Sequence, residues 1–135
     1  MSAEQRLTYV DSSALVKLAV AEPESAALRR HLSRRQPLAS SALSRTELAR
    51  ALLALGPEAV ARGEAVLRRV QLLRVSDSVL RDAGALRPAE LRSLDAIHLA
   101  SARALGPAVR QIVTYDERMA AAASASGWSV ASPRS

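Results

Sequence analysis

Four acidic residues stand where chemistry can be done. Asp11 directly follows the short apolar run Leu7–Val10, and Asp116 follows an apolar run at 112–114 and precedes a helical pattern. Asp95 lies in the first turn of a helical pattern over 93–104, and Glu47 in the first turn of another over 44–55. Taken singly, each has an ordinary explanation. Acidic side chains at helix starts cap free N–H groups and meet the positive end of the helix dipole. Ser44-Arg45-Thr46-Glu47 even fits a capping box. Taken together they read differently. In an open parallel sheet, ligands bind where strands end and helices begin. If Glu47 and Asp95 line the same edge as Asp11 and Asp116, four carboxylates converge. Two carboxylates about 5 Å apart repel by roughly 3 kcal/mol at an effective dielectric of about 20, so such a cluster needs a cation. Oxygen ligands, with no cysteine and no suitable histidine pair, favour Mg²⁺ or Mn²⁺.

The elements that must position these acids follow from apolar periodicity. Strands are expected at 7–10, 37–39, 71–75, 111–114 and 128–130. Helices are expected at 13–20, 23–34, 44–55, 57–70, 77–85, 93–104 and 117–126. Gly56-Pro57 and Gly106-Pro107 close helices, and Pro57 opens the next one. The chain has no Asn and no Asp-Gly pair, so nothing signals a hairpin. Alternation without hairpins predicts an α/β domain whose parallel central sheet is flanked by helices. No repeat or linker divides it. The expectation is one domain over 1–135, with a core at about 7–130 and a frayed tail at 131–135.

Composition bounds the function. At 135 residues and 14.3 kDa, the chain suits one domain that buries about two-thirds of its unfolded surface. Without cysteine it has no disulfide, thiolate metal site or thiol nucleophile. No apolar run nears the ~20 residues a membrane span needs, and the opening residues do not resemble a secretory signal, so a cytoplasmic protein is expected. Lys and Arg number 19 against 13 Asp and Glu, for a net charge of +6, and Lys17 is the lone lysine. Guanidinium groups suit phosphate. Tyr9, Tyr115 and Trp128 are the only aromatic residues, so a row of stacking rings is not expected, and nucleic-acid binding would rest on backbone electrostatics. With the four acids set aside, 19 basic and nine acidic residues leave +10 elsewhere. A small acidic pocket in a basic surface suits metal-assisted phosphodiester cleavage. The surface holds phosphates, and the pocket holds the ion that activates water.

At this point the motifs become recognisable. Tyr9-Val10-Asp11-Ser12-Ser13-Ala14-Leu15, Arg45-Thr46-Glu47-Leu48, Leu94-Asp95-Ala96-Ile97-His98-Leu99-Ala100 and Val113-Thr114-Tyr115-Asp116 resemble those of a PIN domain. More narrowly, they are similar to the VapC-type toxins of bacterial toxin–antitoxin pairs, in the same order, from about 8 to 130. The resemblance implies a Mg²⁺- or Mn²⁺-dependent endoribonuclease that cleaves RNA phosphodiester bonds by metal-activated water. It implies Asp11 and Asp95 as metal ligands, Glu47 as the helix glutamate and Asp116 as the last acid, acting through water. Thr114 matches a supporting hydroxyl position, and Ser12 could support the site through its hydroxyl or backbone N–H. The resemblance further implies an antitoxin that blocks the site, and a homodimer.

Other residues have two readings each. His98, three after Asp95, could help the site, but a lone histidine is expected to pack locally. Tyr115 is expected to be half-buried. Lys17, Arg45, Arg92 and Arg118 rank first for RNA contact, being close in sequence to the acids. Leu15 and Leu18 could receive an antitoxin helix, but ordinary core is the expected reading for most of the leucines. A phosphatase of the haloacid-dehalogenase type would want a second Asp where Ser13 stands. A receiver domain would want a late Lys. The remaining alternative is a non-catalytic PIN-fold partner-binding module whose acids serve only as caps.

Overall fold

A computed structural model describes residues 7–134. The strands are β1 (Leu7–Val10), β2 (Leu38–Ser41), β3 (Val70–Leu73), β4 (Val109–Val113) and β5 (Val130–Ala131). The helices are α1 (Ser12–Ala19), α2 (Ser25–Ser33), α3 (Ser44–Leu53), α4 (Pro57–Leu67), α5 (Asp77–Gly84), α6 (Ser93–Leu105) and α7 (Glu117–Ala125). Every expected element is present, within a few residues of its expected ends. Gly106 closes α6 at φ +72° and Gly56 leads into α4 at φ +99°, a region open to glycine but not to ordinary side chains.

All strands pair in parallel, in the order β3-β2-β1-β4-β5. The chain builds outward from β1 twice, first through β2 to β3, then back across to β4 and β5. Parallel crossovers are right-handed, so opposite directions of travel put helices on opposite faces. Strand side chains alternate accordingly. Val10 and Val113 enter a core with Leu15, Leu28, Leu48 and Leu52 from α1 to α3. Tyr9 and Ile112 enter a second core with Leu99 of α6 and Met119 of α7. The strand order reverses its sense between β1 and β4. That is the switch point at which an open α/β sheet leaves a crevice at its carboxyl edge.

The core reading of the first-helix leucines holds at Leu15, and one expectation, the frayed tail, is corrected. Leu15 is fully buried at 0 % exposure, so no partner helix can reach it, whereas Leu18 is half-buried. The tail through Arg134 is not frayed. Ala131 lies in β5, the Ser132 hydroxyl donates to the Thr114 carbonyl, and the Tyr115 hydroxyl donates to the Pro133 carbonyl at 2.7 Å. Ser135 lies outside the described residues. Among the described residues no helix is long and apolar enough to cross a membrane.

The α3–α4 contact has a checkable detail. A Cβ at Gly63 would lie 2.5 Å from Leu52 Cδ1, and Leu52 is fully buried. Leu52→Ala should cost about 2–5 kcal/mol. Adding Gly63→Ala refills part of that space and improves helix propensity by about 1 kcal/mol. The double variant should therefore lose less than the sum of the singles, by at least about 0.5 kcal/mol in urea unfolding. Additive losses would show that the two positions do not meet.

Candidate active site

The switch point places the first two acids. Val10 lies level with Val113, so Asp11 and Thr114 emerge side by side. The Thr114 hydroxyl donates to Asp11 Oδ2 at 2.5 Å. Asp11 Oδ1 accepts from the Ser13 hydroxyl at 2.6 Å and from the Ala14 N–H at 3.2 Å. The Asp116 N–H donates to the Thr114 oxygen at 3.1 Å, so one hydroxyl joins the two strand-end acids. Both acids do cap helices: Asp11 opens α1, and Asp116 Oδ1 opens α7 by accepting from the Met119 N–H at 3.0 Å. The cap takes one oxygen of each. The second oxygen of Asp116 accepts from the Arg92 guanidinium at 3.0 Å.

The helix-borne acids are held differently. The capping box expected at Ser44–Glu47 is not formed. Leu43 is the cap residue of α3 and supplies no side-chain bond, while the Ser44 hydroxyl pairs with that of Ser40 at 2.8 Å. Glu47 is therefore free of capping duty, and its Oε1 lies 2.7 Å from His98 Nε2. His98 does not pack only locally, as its isolation in the sequence suggested. It is buried, and its Nδ1 lies 2.7 Å from the Tyr9 hydroxyl. Asp95 stands in the first turn of α6 without serving as its cap. Its Oδ2 is buried without a hydrogen-bond partner and has an ion pair with Arg92 Nε at 3.5 Å.

All four acids line one cavity of about 300 Å³, with Ser12, Ser13, Arg92 and His98. Thr114 is fully buried, behind Asp11. Ser12 lines the cavity, while the hydroxyl that holds Asp11 is that of Ser13. Of the four cations ranked for RNA contact, Arg92 borders this cavity. Lys17 pairs with Glu22 at 3.0 Å and Glu24 at 2.8 Å, and Arg45 and Arg118 border other hollows. Tyr115 is half-buried, with the Lys17 ammonium 4.8 Å and the Arg134 guanidinium 5.6 Å from its ring centroid.

The donor set suits a hard divalent cation: four carboxylates, two hydroxyls nearby and no sulfur. Asp95 Oδ2 is the buried oxygen that the protein leaves without a donor. As the side chains stand, no three described His, Asp or Glu groups are close enough together to hold one ion. Three of the acids have turned to protein donors instead: Asp11 to Thr114 and Ser13, Glu47 to His98, and Asp116 to Arg92.

Comparison with known proteins identifies the family. Residues 8–125 match the PIN domain family. The chain is 54% identical over 125 residues to Ribonuclease VapC46 of Mycobacterium tuberculosis, covering 93% of this chain and 96% of that one. It is 42% identical over 132 residues to Ribonuclease VapC35 of the same organism, covering 94% and 97%. The fold matches the crystal structure of M. tuberculosis VapC20, a sarcin-ricin loop cleaving toxin, with a TM-score of 0.70 and 19% identity over 90% of this chain and 95% of that one. It also matches a toxin–antitoxin complex from Klebsiella pneumoniae, with a TM-score of 0.72 and 20% identity over 93% and 97%. The chain belongs to the PIN-domain family and, within it, to the VapC ribonucleases.

Electrostatics make the cavity pH-sensitive. Burial pushes the Asp11 carboxyl above its ordinary range, opposed by the His98 ring and the hydrogen bonds from Ser13, Thr114 and the Ala14 N–H. Burial also pushes Asp95 up, reinforced by the charges of Asp116 and Asp11 and opposed by Arg92 and His98. Between the ordinary carboxylate range and these raised values, the native state binds more protons than the unfolded chain. Without a divalent ion, the contribution of these groups to stability therefore falls as pH rises through that window. In chelator, Asp95→Asn should melt at or above the wild-type temperature at neutral pH, with a shallower fall as pH rises above the ordinary carboxylate range. Added Mn²⁺ should raise the wild-type melting temperature and leave that of the variant nearly unmoved. A variant that melts well below wild type in chelator would contradict this.

Proposed function

We propose that this chain is a metal-dependent endoribonuclease toxin, held inactive by a cognate antitoxin, with Asp11, Glu47, Asp95 and Asp116 as its catalytic acids. The observation that carries this reading is the convergence of four acids, from four separate segments, on one cavity at the sheet's switch point. They do so on a chain with a net charge of +6. A Mg²⁺ or Mn²⁺ ion bound there supplies acidity to water and positive charge to the phosphoryl oxygens. The protein's own parts divide the remaining tasks. Asp11, fixed by Thr114, Ser13 and the Ala14 N–H, and Asp95, whose buried Oδ2 makes no hydrogen bond, would hold the ion. Asp116, nearer solvent, orients the attacking water. Glu47 completes the negative lining from α3. Arg92 is 60% exposed and reaches both Asp95 and Asp116, so it is placed to meet an incoming phosphate. Ser12 supports the lining, and surface arginines hold the RNA backbone. The relationship to VapC proteins supports RNA as substrate and an antitoxin as partner, and a homodimer is part of the same proposal.

The test is cleavage of total RNA by the purified, partner-free protein with Mg²⁺, Mn²⁺ or chelator. Discrete products should form only with metal. Asp11→Asn and Asp95→Asn should cut turnover by more than about 100-fold, beyond what losing a merely supporting group does. Metal-independent cleavage, or full turnover in either variant, would remove the mechanism. A folded protein that binds metal, binds an antitoxin and cleaves no RNA would favour the partner-binding module.

A further inference from the structure

His98 and Tyr9 lie outside the acidic quartet, yet they connect its parts. His98 is 2% exposed and Tyr9 is 0% exposed. Each ring is deep enough that an unpaired polar atom would be costly. The Tyr9 hydroxyl lies 2.7 Å from His98 Nδ1, with the rings edge to face at 5.8 Å between centroids, and it also meets Ser40, Ser41 and Ser101. The other ring nitrogen, Nε2, lies 2.7 Å from Glu47 Oε1. A carboxylate only accepts, so the Nε2–H donates to Glu47. In a neutral imidazole, Nδ1 is then the acceptor, and the Tyr9 hydroxyl donates to it. With both nitrogens engaged, the ring has one orientation.

This chain of two bonds crosses three elements, each of which carries one of the four acids or leads directly into one. Tyr9 is on β1, two residues before Asp11. His98 is on α6, three residues after Asp95 and so one helical turn from it. Glu47 is on α3, where the expected capping box is absent and no cap fixes its side chain. We propose that Tyr9 and His98 are positioning residues that act through Glu47, holding its carboxylate toward the acidic cavity and so setting the affinity for a divalent cation. The proposal rests on reading that cavity as a cation site.

The experiment is Mn²⁺ titration by calorimetry on chelator-stripped protein, with circular dichroism melts alongside. His98→Leu and Tyr9→Phe should each weaken Mn²⁺ binding by about 10-fold, the scale on which outer partners of metal ligands act. His98→Gln, whose amide N–H can reach the place of Nε2–H, should stay within about 3-fold of wild type. In a Glu47→Gln background, His98→Leu should cause no further loss, because the pair acts as one unit. Tyr9→Phe removes a single oxygen and keeps the ring, so it carries the test even if His98→Leu fails to fold. Wild-type affinity in Tyr9→Phe and His98→Leu, or equal losses with and without Glu47, would overturn the positioning role while leaving the cation site standing. Absence of Mn²⁺ binding by the wild type would overturn both.

Discussion

Mutual repulsion among carboxylates is the constraint around which this molecule is arranged. A fold that gathers four acids at one edge has to hold them against forces that would spread them or protonate them. The solution here is distributed. Asp11 is held by two hydroxyls and a backbone N–H, Asp116 by a backbone N–H and Arg92, and Glu47 by His98. Asp95 has the least support: its buried Oδ2 makes no hydrogen bond and meets Arg92 Nε at 3.5 Å. The two most buried acids are also the two whose carboxyls are pushed upward, as desolvation and crowding require.

A carboxylate that caps a helix keeps a second oxygen for another bond. Asp11 and Asp116 each give one to a helix N-terminus, while the other goes to the buried Thr114 hydroxyl for Asp11 and to Arg92 at the cavity for Asp116. The ordinary explanation of acids at helix starts was therefore correct for these two and insufficient. It was incorrect for Glu47, whose Ser44 partner turns away to Ser40.

The strand–helix alternation, the parallel sheet and the four acids were legible because each depends on local pattern: apolar period, helix stops and the residue next to a strand end. What stayed hidden depends on long-range contact. His98 looked isolated because its partners lie 51 and 89 residues away in the chain. Ser13 and Ser12 are indistinguishable until the turn into α1 aims one hydroxyl at Asp11. Arg92 was singled out only for its place beside Asp95, and its bond to Asp116 required α6 and α7 to be set side by side. The tail looked frayed because two strand residues carry almost no pattern. Its order comes from Thr114 and Tyr115, which sit next to it only in the folded sheet.

The pairing of β1 with β4 contains one irregularity. Leu7 is level with Val109, but Thr8 is level with Gln111, so Arg110 is an extra residue at the start of β4. A bulge absorbs such a surplus locally and leaves the ladder beyond it regular. Without it, every later residue of β4 would fall one place behind, and Val113 instead of Thr114 would emerge beside Asp11. Alternation would also turn Ile112 and Val113 towards the wrong cores. The sheet thus places its slack at the end far from the carboxylates and its fixed register at the end beside them. Changes in chain length are tolerable ahead of the bulge and in the helical connections, and disruptive in the three residues that lead from it to Thr114.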